Sequence, residues 1–74
     1  MALTFDFYTA RADEAAREAS AASLSNVRDR ALRSEAAWRD MADRAAQTER
    51  DREVAKLERE HRLAAEAALL APLA

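Results

Sequence analysis

The chain has 74 residues, with twelve basic and fourteen acidic side chains, a net charge of −2 and no cysteine. Without cysteine there can be no disulfide framework, thiol nucleophile or cysteine-based zinc site. Basic and acidic residues are interleaved and form neither a basic face nor a basic tail, which argues against a nucleic-acid partner. The length allows one small domain, spanning residues 1–74.

The composition commits the backbone to helix. Twenty-one residues are alanine, none is glycine, and the only proline is Pro72. Alanine is the best helix former, glycine is the usual residue of tight turns, and proline is what most often stops a helix. We therefore predict an all-α fold. Large apolar side chains are scarce, so a monomer of this size would have a marginal core, and self-association is expected.

The first helix is predicted over about residues 6–22, with Thr4 or Asp6 as its N-cap. Aromatic residues and alanines recur in it at three- and four-residue spacing, and they form one face of the helix within an arc of about 100°. It is aromatic at its start and alanine afterwards. The face consists of Phe5, Tyr8, Ala12, Ala15, Ala19 and Ala22.

Residues 23–26 are the only internal run that favours caps and turns. Ser23, Ser25 and Asn26 can each cap a following helix, and the sequence does not decide among them. We predict that this segment is the turn of a helical hairpin.

The second helix is predicted over about residues 27–70. The apolar face of its first half consists of Val27, Ala31, Ser34, Trp38, Met41 and Ala45. In an antiparallel hairpin, the aromatic start of the first helix lies level with the later part of this face. We predict that the main packing cluster consists of Phe5, Tyr8, Trp38 and Met41.

A second apolar stripe follows a polar stretch at residues 46–53, and it is rotated by about 140° from the first. The stripe consists of Val54, Leu57, His61, Ala64 and Ala68. A first helix of roughly 17 residues spans about 25 Å and cannot reach it. Either the chain bends within residues 46–53 into a third helix, or the long helix continues and meets another subunit. Because no glycine or proline supplies a bend, we favour a homodimer, forming a four-helix bundle or coiled coil.

Glu58 and His61 have the Glu-x-x-His spacing that contributes to di-iron sites in four-helix bundles. A symmetric dimer could supply two copies, and a dimeric metal-binding bundle is the alternative function. Such a site also needs a carboxylate from each of two further helices, and the acids of the first helix lie on its polar face. A histidine within an interface stripe is the simpler interpretation, so we expect no metal or other cofactor.

Other function classes find little support. His61 is the only histidine, no glycine-flanked serine is present, and no phosphate-binding glycine loop can form. We therefore expect no enzymatic activity. The segment 63–74 contains Glu66, is too short to span a bilayer and lacks a basic face, so we expect no membrane partner. Residues 1–6 do not resemble a signal peptide, and the expected location is the cytoplasm.

Residues 7–45 resemble a set of short bacterial alanine-rich proteins of unknown function. The pattern has a Tyr-x-x-Arg-Ala first helix, a short turn, and a second helix with Val-Arg-x-Arg and Trp-x-x-Met-Ala. Its residues here are Tyr8, Arg11, Ala12, Glu14, Ala15, Val27, Arg28, Arg30, Leu32, Ala36, Trp38, Met41 and Ala42. Ala36 stands one place from the usual spacing. The resemblance implies a two-helix hairpin and no known activity, and it leaves residues 46–74 unexplained.

These observations together predict a structural or protein–protein interaction module that self-associates through helix packing. The same apolar stripe could instead receive an amphipathic helix of another protein. The sequence alone does not separate these occupants, and it does not give the direction of the helices in a dimer.

Overall fold

A computed structural model describes residues 3–71. These residues form two α-helices, α1 (Phe5–Ala21) and α2 (Ser25–Leu70). The helices run antiparallel, since Arg28 contacts Ala22 next to the turn and Arg39 contacts Asp13 farther along. The predicted all-α helical hairpin with a long second helix is confirmed. Both helices begin slightly earlier than predicted, α1 by one residue and α2 by two.

The start of α1 is fixed by Thr4. Its backbone is extended, and its Oγ1 accepts a hydrogen bond of 3.2 Å from the Phe7 amide. This bond satisfies one of the amides that lack a partner in the first turn of a helix. Thr4 is therefore the N-cap, and Asp6 lies inside the first turn, where the helix dipole favours a carboxylate.

The turn is made without any residue of positive φ in the described part of the chain. Ala22 and Leu24 both have extended backbones, which alanine and leucine adopt without strain. The prediction that Ser23, Ser25 or Asn26 caps α2 is wrong, because the N-cap position is Leu24, whose side chain has no oxygen to accept a bond. The Arg28 side chain instead closes the turn, donating from Nη2 to the Ala22 carbonyl at 3.2 Å.

Helix α2 is unbroken over its 46 residues and is about 69 Å long at 1.5 Å per residue. The alternative of a bend within residues 46–53 and a third helix is therefore wrong. Side chains along this stretch bond to one another, with Gln47 donating to Asp51 and Arg52 pairing with Glu49. Such pairs at three- and four-residue spacing support a helix that no other element covers.

The fully buried centre of the contact between the helices consists of alanines. The buried side chains of the described residues are Ala12, Ala15, Ala19, Ala31 and Ala42. Three of these lie on the predicted face of α1. On α2 the face is centred nearer Ala42 than expected, and Ser34 is exposed because it lies about 60–80° around the helix from Ala31 and Ala42.

Helix α1 has only 17 residues, so it covers α2 no farther than the region around residue 45. The remaining part of α2 extends beyond the hairpin, giving the molecule overall dimensions of 77 × 18 × 16 Å. Among the described residues, neither helix contains a stretch apolar enough to cross a bilayer.

The alanine contact can be tested by enlarging one of its members. Ala12 is 0% exposed, so Ala12→Leu should lower the free energy of unfolding by about 1–3 kcal/mol through overpacking. Ala10 lies on the exposed side of the same helix, and Ala10→Leu, which makes the same change in helix propensity, should leave stability nearly unchanged. Urea unfolding followed by Trp38 fluorescence measures both. Equal stability of the two variants would contradict close packing at Ala12.

Candidate interaction surface

Three aromatic rings close the open end of the hairpin. Phe7 packs edge-on against Trp38 across the helix contact, with centroids 6.1 Å apart, and against Tyr8 at 5.7 Å. Tyr8 lies 6.1 Å from Trp38, and the Arg11 guanidinium stands 5.3 Å from the Trp38 ring centroid. Edge-on aromatic pairs and a cation above an indole each add stabilisation beyond buried area.

This cluster differs from the one predicted from the sequence. Tyr8 and Trp38 are in it, as expected, but Phe7 takes the place expected for Phe5, which is 46% exposed. Phe7 lies about 110° from the centre of the apolar arc of α1, and for that reason its azimuth did not mark it as a packing residue. A large ring in the first turn of a helix can nevertheless reach around the flank to a neighbouring tryptophan.

Phe5 and Met41 line an open cleft of about 640 Å³ beside the aromatic cluster. The cleft lies where α1 begins and α2 continues beyond it. Tyr8 also lines the cleft, together with Arg44 and Arg52, which are paired with Asp40 and Glu49. Phe5 and Met41 therefore lie on the walls of an open cleft beside Tyr8, outside the group of rings that contact Trp38.

A polar contact joins the two helices outside the aromatic cluster. The Arg39 guanidinium bonds Glu35 at 2.8 Å on its own helix and Asp13 of α1 at 3.3 Å. The hydrogen bond to Glu35 raises the pKa of Arg39, desolvation lowers it, and the bond to Asp13 raises it further, with a net increase. Arg39 therefore joins α1 to α2 through an exposed ion pair, a kind of contact that contributes little to stability.

The uncovered part of α2 carries the second apolar stripe, here called the distal stripe: Val54, Leu57, His61, Ala64 and Ala68. All five residues are exposed. Leu57 has 54% of its surface open to solvent. Because α2 is continuous and helical over this region, the five side chains share one face of the helix.

Acidic side chains border the upstream part of the distal stripe. At about 100° per residue, Glu53 and Glu60 lie on one side of the stripe and Glu58 on the other. Within residues 3–71 none of these three carboxylates takes part in an ion pair. The downstream part is bordered by Ala65 and Ala67. The stripe therefore changes along its length from large and acid-flanked to small and neutral.

Glu58 and His61, the residues of the alternative metal hypothesis, lie one turn apart on the exposed surface of α2. Within residues 3–71, no three histidine or acidic side chains are grouped as metal ligands. The acids of α1 lie along the hairpin, far from this part of α2. A metal centre would therefore need ligands from other chains, and no observation in the described residues favours one.

No protein-family model, curated protein or solved structure matches the chain. The resemblance of residues 7–45 to short bacterial hairpin proteins stays a prediction.

The aromatic cluster predicts unequal roles for the two phenylalanines. Phe7→Ala should cost about 2 kcal/mol of unfolding free energy, less than the value for a fully buried ring, because Phe7 is mostly but not fully covered and loses two aromatic partners. Phe5→Ala, the matched control, should cost about 1 kcal/mol, because the ring is 46% exposed and has no aromatic partner among the described residues. Chemical denaturation followed by circular dichroism compares them, and a larger loss for Phe5→Ala would refute this assignment.

Proposed function

We propose that the protein is a non-enzymatic interaction module that self-associates through the distal stripe of α2. The observation that carries the proposal is that Val54 and Leu57 lie exposed on a helix segment that no other described element covers. A helix whose apolar residues share one face normally buries that face against another element. Here α1 is too short to do so.

The surface area of the molecule supports a partner. Its accessible surface is 6070 Å², whereas a compact monomer of 8.2 kDa would expose about 4,500 Å². The excess, roughly 1,500 Å², comes from the rod-like extension of α2, and a stable interface of standard size takes about 800 Å² from each partner. Enough surface is therefore available for a dimer.

The composition of the core also favours association. Five alanines are buried in the hairpin, and a methyl group contributes only about 0.8 kcal/mol when removed from water. The part of α2 beyond the hairpin is not stabilised by any contact with α1, and an isolated helix is only marginally stable in water. Burial of Val54 and Leu57 in a second contact would add apolar area where the hairpin has none.

The proposal predicts that Leu57 is needed for association. Leu57→Glu removes two leucines from each dimer and places charge beside Glu58 and Glu60. The loss should be roughly 3 kcal/mol or more, on the order of a 100-fold weaker dimer. Sedimentation equilibrium across a concentration series measures the dissociation constant.

Leu63 provides the matched control, because it is 55% exposed against 54% for Leu57 and lies about 120° away around the helix. Leu63→Glu adds the same charge and should leave the dissociation constant nearly unchanged. A wild-type chain that stays monomeric at high micromolar concentration, or equal effects of the two substitutions, would contradict the proposal.

A further inference from the structure

We infer that the two copies pack antiparallel along the distal stripe, with Leu57 of each copy against Ala68 of the other. The inference rests on the proposed self-association and adds its direction and register. It follows from two gradients along the exposed stripe, one in side-chain size and one in charge.

The first gradient is in size. The upstream half of the stripe has Val54 and Leu57, and the downstream half has Ala64 and Ala68, all of them exposed. Helices pack well when a large side chain on one faces a small side chain on the other. In a symmetric pair this condition is met only when one copy is reversed, because reversal places the large half of each stripe on the small half of the other.

The second gradient is in charge. Glu58 and Glu60 flank the upstream half, while Ala65 and Ala67 occupy the equivalent positions downstream. Like charges that face each other across a helix pair are destabilising. Reversal places the glutamates of each copy opposite the flanking alanines of the other, so the acidic edges do not meet.

Both gradients select the same register. A two-fold axis between residues 62 and 63 brings Leu57 opposite Ala68 and His61 opposite Ala64. The same axis brings Val54 opposite Ala71 at the end of α2. The layers then follow the three- and four-residue spacing of an antiparallel coiled coil. The polar stretch at residues 46–53 lies outside the overlap and stays in water.

The gradients in side-chain size and charge both disfavour a parallel pair. Glu53 of each copy would face Glu58 of the other, and Arg50, which shares the azimuth of the stripe, would face its own copy. Ala64 would meet Ala64 and leave space unfilled, while Leu57 would meet Leu57. A reversed copy of α2 complements the distal stripe in both side-chain size and charge. The partner helix is therefore that of a second copy of this chain.

Disulfide trapping tests the register, and the absence of native cysteine gives a clean background. The variants Leu57→Cys and Ala68→Cys are prepared separately and oxidised alone and as an equimolar mixture. Two cysteines form a disulfide only when their Cα atoms lie within about 7 Å. We expect a disulfide-linked dimer in the mixture and in neither variant alone. Leu63→Cys, which lies off the stripe, is the control for random collision.

A second measurement leaves the stripe unchanged. Dyes are attached at Ser23→Cys in the turn or at Leu70→Cys at the end of α2, and energy transfer is measured in mixed donor and acceptor dimers. The antiparallel register separates the two turns by about 115 Å and the two C-terminal positions by about 20 Å. Transfer is then expected at residue 70 and absent at residue 23.

The outcomes distinguish the inference from the proposed function. Disulfides in each single variant together with transfer at residue 23 would show a parallel dimer and overturn the inference alone. A dimer by sedimentation with no disulfide in the mixture would overturn the register. A wild-type monomer by sedimentation would overturn the proposed function and the inference with it.

Discussion

The close contact of two alanine faces is the constraint on which the hairpin depends. Ala12, Ala15 and Ala19 of α1 bury their methyl groups against α2, and the helices can approach because nothing larger separates them. Such a contact defines geometry well but supplies little apolar area. The Phe7, Tyr8 and Trp38 rings at the open end therefore set the register that the methyl groups alone would leave free, and the exposed Arg39–Asp13 pair adds a weaker contact between the helices.

The difference in length between the two helices determines which part of α2 has no partner within the hairpin. Helix α1 has 17 residues and α2 has 46, so more than half of α2 cannot contact α1. In most small domains every apolar face finds a partner within the chain. Here the distal stripe has none among the described residues, and its gradients of size and charge complement those of a reversed copy. In the proposed function the hairpin is the base of the molecule, and the extension of α2 is the part that binds the second copy.

Much of the fold follows from residue types and spacing. The lack of internal proline predicts the unbroken α2, and the alanine spacing predicts the buried face of α1. The details of the turn could not be predicted from residue types, because Leu24 occupies the N-cap position and Arg28 closes the turn by donating to the carbonyl of Ala22, six residues earlier. Phe7 is not predicted as a packing residue, because the angular position of a residue around the helix gives the direction of its side chain and not how far a large ring extends. The sequence spacing predicts the distal stripe. The register in which it can pack against a second helix follows only once α2 is known to be continuous.

Hydrogen–deuterium exchange along α2 at two protein concentrations tests the central claim most directly. Amides of residues 28–45 should be protected at every concentration, because α1 covers that part of the helix. Amides of residues 54–68 should be protected at high concentration and should exchange much faster on dilution, since their protection comes from a second copy. Protection of residues 54–68 that does not change with concentration would contradict the account.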